Sequence, residues 1–227
     1  MSVAYNSSIV TTGLKLCLDP ANIKSYPGSG TIFSDISRNG LNATLTSSFT
    51  GPILNSGRSA TTPVTGVLNT DLHSIFFSIK FNTTITYGAN GYSGSWEKIF
   101  SFNAGGSDRT PSVWRYPSER RLHWRYDPSN SGCDFGKDSA SNQFDIDTWY
   151  YVGVTKNNAS TVMYVNGAQI GTGTVSYPKT TGTSSIILFE SYTADLASLG
   201  FVHIYDRPIT ASEVNINFSA IRKRYNI

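Results

Sequence analysis

Apolar residues along this chain recur at every second position more often than at helical spacing. Leu14, Leu16 and Leu18 share one face of a predicted strand, with Lys15 and Asp19 on the other. Ile75, Phe77, Ile79 and Phe81 repeat the pattern, and 98–104, 185–189 and 198–205 supply further strands. The clearest pair is 149–155 followed by 161–165, after which Asn166-Gly167 interrupts the run and Ala168-Gln169-Ile170 returns. Asn and Gly both tolerate φ > 0, so Asn166-Gly167 predicts the type I′ turn of a two-residue hairpin. Roughly a dozen such segments, separated by Gly, Ser, Asn and Pro clusters, predict an all-β, two-sheet antiparallel sandwich rather than βαβ units. The longest irregular stretches, 83–95 and 127–142, are expected at the rims, where binding usually sits.

The period changes once, near the C-terminus. Thr210 reads as an N-cap and Glu213 completes a capping box three residues later. Val214, Phe218, Ile221 and Tyr225 form an apolar stripe at helical spacing. Arg222, Lys223 and Arg224 fall in the last turn, where cations complement the helix dipole.

A chain of 227 residues can bury one substantial core. The predicted organisation is an N-terminal arm or edge strand over 1–12, then one domain over 13–227. Charged residues are only 15% of the chain, against roughly 25% in average soluble domains. The formal charge of +3 is too small to imply a nucleic-acid partner. The first twelve residues lack a basic start and an apolar core, so no signal peptide is expected. No apolar run approaches the ~20 residues of a span, so no membrane insertion is expected. Cys17 and Cys133 are expected as free thiols, a bridge between them being the alternative.

One hairpin stands out as a surface with chemistry. Val113-Trp114-Arg115-Tyr116 runs into Pro117–Arg120, and Leu122-His123-Trp124-Arg125-Tyr126 runs out. Simple alternation groups Trp114 and Tyr116 with Leu122, Trp124 and Tyr126, and leaves Arg115, His123 and Arg125 on the opposite face. The aromatic set is expected to point inward, since burying each large side chain is worth about 1.5–3 kcal/mol. Arg115, His123 and Arg125 are then the outward set, a candidate binding surface for an acidic glycan or an acidic patch on a partner.

Three segments carry a family resemblance. Gly13-Leu14-Lys15-Leu16-Cys17-Leu18-Asp19, leading to Asp35-Ile36-Ser37-Arg38-Asn39-Gly40, is similar to the opening strand and loop of laminin-G-like, concanavalin A-like lectin/glucanase domains. Trp149 with the run after it, closed by Tyr164-Val165-Asn166-Gly167, resembles their central hairpin. Phe201-Val202-His203-Ile204-Tyr205-Asp206-Arg207-Pro208 with Thr210 to Glu213 resembles their last strand and closing helix. The opening and closing segments resemble most the versions found in virion proteins of tailed bacteriophages. The resemblance implies a concanavalin A-like jelly roll and a virion surface protein, a capsid decoration or a fibre or tail accessory. Its expected partners are the major capsid protein or other virion proteins, with glycans and a second copy of itself as further candidates. A free carbohydrate-binding lectin is the alternative, and a glycan-cleaving enzyme a third.

Glucanases of this fold cluster carboxylates along one strand as Glu-x-Asp-x-Glu, because hydrolysis needs an acid and a nucleophile or base flanking the bond. The four glutamates here, Glu97, Glu119, Glu190 and Glu213, have no such neighbours. Asp145-Ile146-Asp147 reads as a turn before Trp149. His73, His123 and His203 show no metal-ligand spacing, and no Gly-x-Ser-x-Gly elbow or phosphate loop occurs. Many relatives begin the last strand with Ile-Asp, where this chain has Leu199-Gly200, which weakens a carried-over calcium site. No enzyme activity, no catalytic residue, no metal and no cofactor are expected.

Overall fold

The computed structural model describes residues 8–48, 54–55, 58–63, 71–82, 96–102, 111–117, 119–126, 132–175, 185–190 and 197–227. The predicted rim stretch 83–95 lies outside the described residues, as do 127–131 of the second one and 1–7 of the arm.

Fifteen strands and one helix lie among the described residues. The strands are β1 (Leu14–Leu18), β2 (Ile32–Phe33), β3 (Ala43–Leu45), β4 (Leu54–Asn55), β5 (Ala60–Thr61), β6 (Leu72–Phe81), β7 (Glu97–Phe102) and β8 (Ser112–Arg115). They continue with β9 (Leu122–Arg125), β10 (Gly132–Phe135), β11 (Trp149–Asn157), β12 (Ser160–Val165), β13 (Ala168–Thr174), β14 (Ile186–Glu190) and β15 (Ala197–Tyr205). The helix α1 spans Ala211–Tyr225.

The strands form two antiparallel sheets. Sheet A runs β1-β15-β6-β11-β12-β13, with β4 also pairing with β15; sheet B runs β10-β9-β8-β7-β14-β5-β3-β2. The last strand thus inserts between the first and the sixth, closing the chain on itself. Phe77, Ile79, Val152, Val154 and Val202 from sheet A meet Phe100, Phe102, Val113, Leu122, Trp124 and Phe135 from sheet B in the inter-sheet core. Trp124 stacks on Phe77 across that core at 5.9 Å.

The outer face of sheet A is covered too. Phe76, Tyr151, Tyr164, Phe201 and Tyr205 pack against Val214, Ile221 and Tyr225 of the helix in a second apolar cluster. Thr210 caps the helix, its Oγ1 accepting from the Glu213 N–H while the Glu213 carboxylate accepts from the Thr210 N–H. Arg207 pairs with Glu213 and, with the Thr210 hydrogen bonds, outweighs burial to hold this carboxyl down at about 2. The predicted stripe is present, but Asn217 is fully buried among it. Its amide accepts from the Val10 N–H at 2.8 Å and donates to the Tyr205 hydroxyl at 3.0 Å, which itself donates to the Val10 carbonyl. Residues 8–12 therefore lie against this chain's own helix, with Ile9 and Val10 packed on the second cluster.

Two local readings hold and one fails. Asn166 and Gly167 are the two central residues between β12 and β13, with φ of 50° and 80°. Glycine is required at the second of these, because a Cβ there would meet Asn215 Oδ1 at 2.8 Å and Phe218 Cδ1 at 2.9 Å. Cys17 and Cys133 are both free and buried, Cys133 within the inter-sheet core. Leu14, however, does not share a face with Leu16 and Leu18. A bulge between Leu14 and Leu16 shifts the register against β15, so Leu14 packs on the helix side while the other two enter the inter-sheet core.

Candidate functional site

With sheet A sandwiched between two apolar layers, the outward face of sheet B carries the unusual side chains. Its geometry follows from the register of one hairpin. The Tyr116 N–H donates to the Arg121 carbonyl, so Tyr116 stands opposite Arg121 and the loop between them holds the four residues 117–120. Pairing continues as Arg115 with Leu122, Trp114 with His123 and Val113 with Trp124. An even loop makes even-numbered residues of β8 share a face with odd-numbered residues of β9.

This register corrects the grouping expected from alternation alone. Arg115 does not belong to the outward set. It points inward with Val113, Leu122 and Trp124, is 1% exposed, and pairs through Nε with Glu97 Oε2 at 2.5 Å. Its Nη1 also donates to the carbonyls of Tyr116 and Pro117. Trp114 and Tyr116, expected in the core, instead share the outer face with His123 and Arg125. His123 and Arg125 are on the expected face but are buried rather than exposed, and both are held by Asp134.

Asp134 is the hub of the face. It sits on β10 directly opposite His123, between the inward-facing Cys133 and Phe135. Its Oδ1 contacts His123 Nδ1 at 2.9 Å and Arg125 Nη1 at 2.8 Å. Its Oδ2 accepts from the Tyr116 hydroxyl at 2.7 Å and from Arg125 Nη2 at 3.1 Å. Burial pushes the Asp134 carboxyl up, but the bonds from His123, Arg125 and Tyr116 outweigh it and hold the group well below the usual carboxylate range. Burial, reinforced by the same carboxylate, pushes the Tyr116 phenol up to about 12. Arg125 also donates to the Trp124 and Cys133 carbonyls, so its guanidinium is fixed in place.

Over this network lies Trp96, just ahead of β7 and 42% exposed. Its ring is 4.4 Å from the His123 ring and 4.8 Å from the Tyr116 ring, centroid to centroid. Arg121 stacks on Tyr116 at 4.4 Å and pairs with Glu119. Lys98 lies over the Trp114 indole at 5.0 Å, and the indole N–H donates to Ser112. The result is a half-exposed aromatic surface in which Tyr116 and His123 are held by one partly buried carboxylate.

Of the residues gathered here the sequence singles out His123 and Arg125, places Tyr116 in the core, and does not single out Asp134 or Trp96. Asp134 was legible in principle, since the alternation Cys133-Asp134-Phe135 puts it opposite two apolar neighbours. Tyr116 lies on the outer face because the four-residue loop, not alternation alone, sets the register of β8 against β9. Trp96 follows a Gly- and Ser-rich stretch and has no periodic signal to place it.

Among the described residues no group of three or more His, Cys, Asp or Glu is arranged to hold a metal ion. Nor is any described helix long and apolar enough to cross a membrane.

A family model for the concanavalin A-like lectin/glucanases superfamily matches residues 81–215. No curated protein matches the chain. Among solved structures, Trypanosoma rangeli sialidase in complex with sialic acid superposes with a TM-score of 0.63 at 16% identity, over 91% of this chain and 32% of that one. A mutant of HCR/D gives 0.67 at 14%, over 92% and 52%. The binding domain of Paraclostridial Mosquitocidal Protein 1 gives 0.65 at 16%, over 91% and 52%. The chain thus spans about a third of the sialidase and about half of the other two, and at these identities the likeness is one of fold.

Proposed function

The chain belongs to the concanavalin A-like lectin/glucanase superfamily, and from that premise we propose that it is a non-enzymatic binding module that holds glycan on the Trp96 surface and is carried on the particle of a tailed phage. The observation that supports binding is the half-exposed Trp96 packed at a tilt against Tyr116 and His123, both bonded to Asp134. A flat ring held in place loses little entropy on contact, and its face suits the C–H face of a sugar ring. One structural neighbour is a sialidase in complex with sialic acid, so this fold occurs in a sugar-handling protein.

The chemistry of the surface favours holding over cutting. Most glycoside hydrolases use one carboxyl group whose pKa is raised so that it can protonate the leaving oxygen. Asp134 is pushed in the opposite direction, while Glu97 and Glu119 are each engaged by an arginine. The virion setting rests on the opening and closing segments, which resemble those of tailed-phage virion proteins; there the module would contact capsid or other virion proteins.

A glycan array with the intact chain and with Trp96→Ala tests the binding role. Binding that disappears in the variant is expected; an array that stays blank, or one indifferent to the substitution, refutes it. Gold-labelled antibody on purified particles tests the setting, and absence of surface label would remove it.

A further inference from the structure

The charges beneath Trp96 indicate which glycans this surface takes, an inference that rests on the glycan-binding reading above. An acidic sugar is captured by a guanidinium or ammonium with N–H groups to spare, usually as a bidentate pair. On this face the guanidinium groups already have carboxylate and carbonyl partners within the chain. Arg125 grips both oxygens of Asp134 and two main-chain carbonyls. Arg121 holds Glu119 and the Ala140 carbonyl while its guanidinium sits over the Tyr116 ring. Arg115 has turned into the core with Glu97. The Lys98 ammonium rests over the Trp114 indole.

Recruiting Arg125 to a ligand carboxylate would take from Asp134, whose side chain is only 28% exposed, its guanidinium partner on both oxygens. Breaking a partly buried pair costs more than one new charge-assisted bond returns. Apolar ring surface is therefore what the site has left to offer, most of it on Trp96.

We infer that the surface selects neutral glycans, pyranose units laid by their C–H face on Trp96, and discriminates against sialylated, uronic or sulfated ones. This reverses the acidic ligand expected from the sequence, because the three basic residues behind that expectation are occupied within the protein. It also separates the chain from its sialidase neighbour, which is seen in complex with sialic acid.

Calorimetric titration of the intact chain decides the matter, with lactose, cellotetraose and laminaritetraose as neutral probes and sialyllactose and a chondroitin sulfate tetrasaccharide as acidic ones. Each is run at low and high salt. At least one neutral probe should bind tighter than both acidic ones, with an affinity that salt leaves unchanged. Trp96→Ala should weaken it by about tenfold or more, and Trp96→Phe should restore part of the loss. An acidic probe that binds tightest, and weakens as salt rises, overturns the inference while leaving a glycan-binding surface in place. Failure of every probe to bind, or binding that ignores Trp96→Ala, overturns both.

Discussion

Asp134→Asn perturbs the face with the least change in shape. The substitution keeps one acceptor oxygen and replaces the other with an NH2 group aimed at donors. Three partners lose a charged acceptor: the Tyr116 hydroxyl at 2.7 Å, His123 Nδ1 at 2.9 Å and the Arg125 guanidinium at 2.8 and 3.1 Å. Hydrogen bonds to charged groups are worth about 1.5–3 kcal/mol each, and removing one partner of a fully buried pair costs about 3–5 kcal/mol. Two facts reduce the total. The Asp134 side chain is 28% exposed, and Arg125 keeps the Trp124 and Cys133 carbonyls. A net loss of about 2–3 kcal/mol follows, or roughly 5–10 °C in Tm for a domain of this size.

The pH dependence carries the sign. The folded pKa of Asp134 is depressed, so its contribution is present above the unfolded value near 3.9 and is lost as pH falls below that toward the folded value. Urea denaturation of the parent and the variant at neutral pH and at about pH 3 measures both effects. The gap between the two proteins should be widest at neutral pH and should shrink in acid. A gap under about 0.5 kcal/mol at neutral pH would show that the hub behaves as an ordinary surface ion pair, and would refute the reasoning.

Other outcomes follow from the same geometry. Arg115→Ala should destabilise by about 3–5 kcal/mol, because it leaves Glu97 without its partner at the edge of the core; a cost near zero in thermal melts would place Arg115 on the surface after all. Gly167→Ala should cost more than about 1 kcal/mol, since φ is +80° and the new Cβ would strike Asn215 and Phe218; a denaturation midpoint equal to that of the parent would contradict the docking of the helix on this turn. Asn217→Ala should cost about 1–3 kcal/mol by leaving the Val10 N–H without its acceptor and the Tyr205 hydroxyl without a donor. Hydrogen exchange should then show faster opening of residues 8–12, and unchanged protection there would sink the assignment.

The parts of this fold that could be read from the sequence are those with a strong local cause. Asn166-Gly167 demanded positive φ at both positions, and Thr210 with Glu213 formed a cap that no distant contact could rearrange. What could not be read depended on counting residues through irregular chain. Alternation says that neighbours face opposite ways, but not which residue of the next strand stands across from them. Leu14 went to the wrong layer through a bulge of this kind, and Trp114 and Tyr116 through the length of a loop. The hub was hidden for another reason. Asp134 derives its role from Tyr116, His123 and Arg125, which lie 9 to 18 residues away in sequence and meet it only when β8, β9 and β10 align. Asn217 reads as a blemish in an apolar stripe until Val10, 207 residues earlier, supplies its partner.

The four residues between Tyr116 and Arg121 have a further consequence. Removing or adding one of them would exchange the two faces of β9 at a stroke. Leu122 and Trp124 would emerge into water, while His123 and Arg125 would enter the core without Asp134. The outward face is thus encoded as a parity, not only as a set of side chains. Point substitutions within 117–120 can accumulate with little effect on what faces outward, whereas a single-codon insertion or deletion would erase it. A library that varies this loop in composition should yield many functional members, and one that varies its length by a single residue should yield almost none.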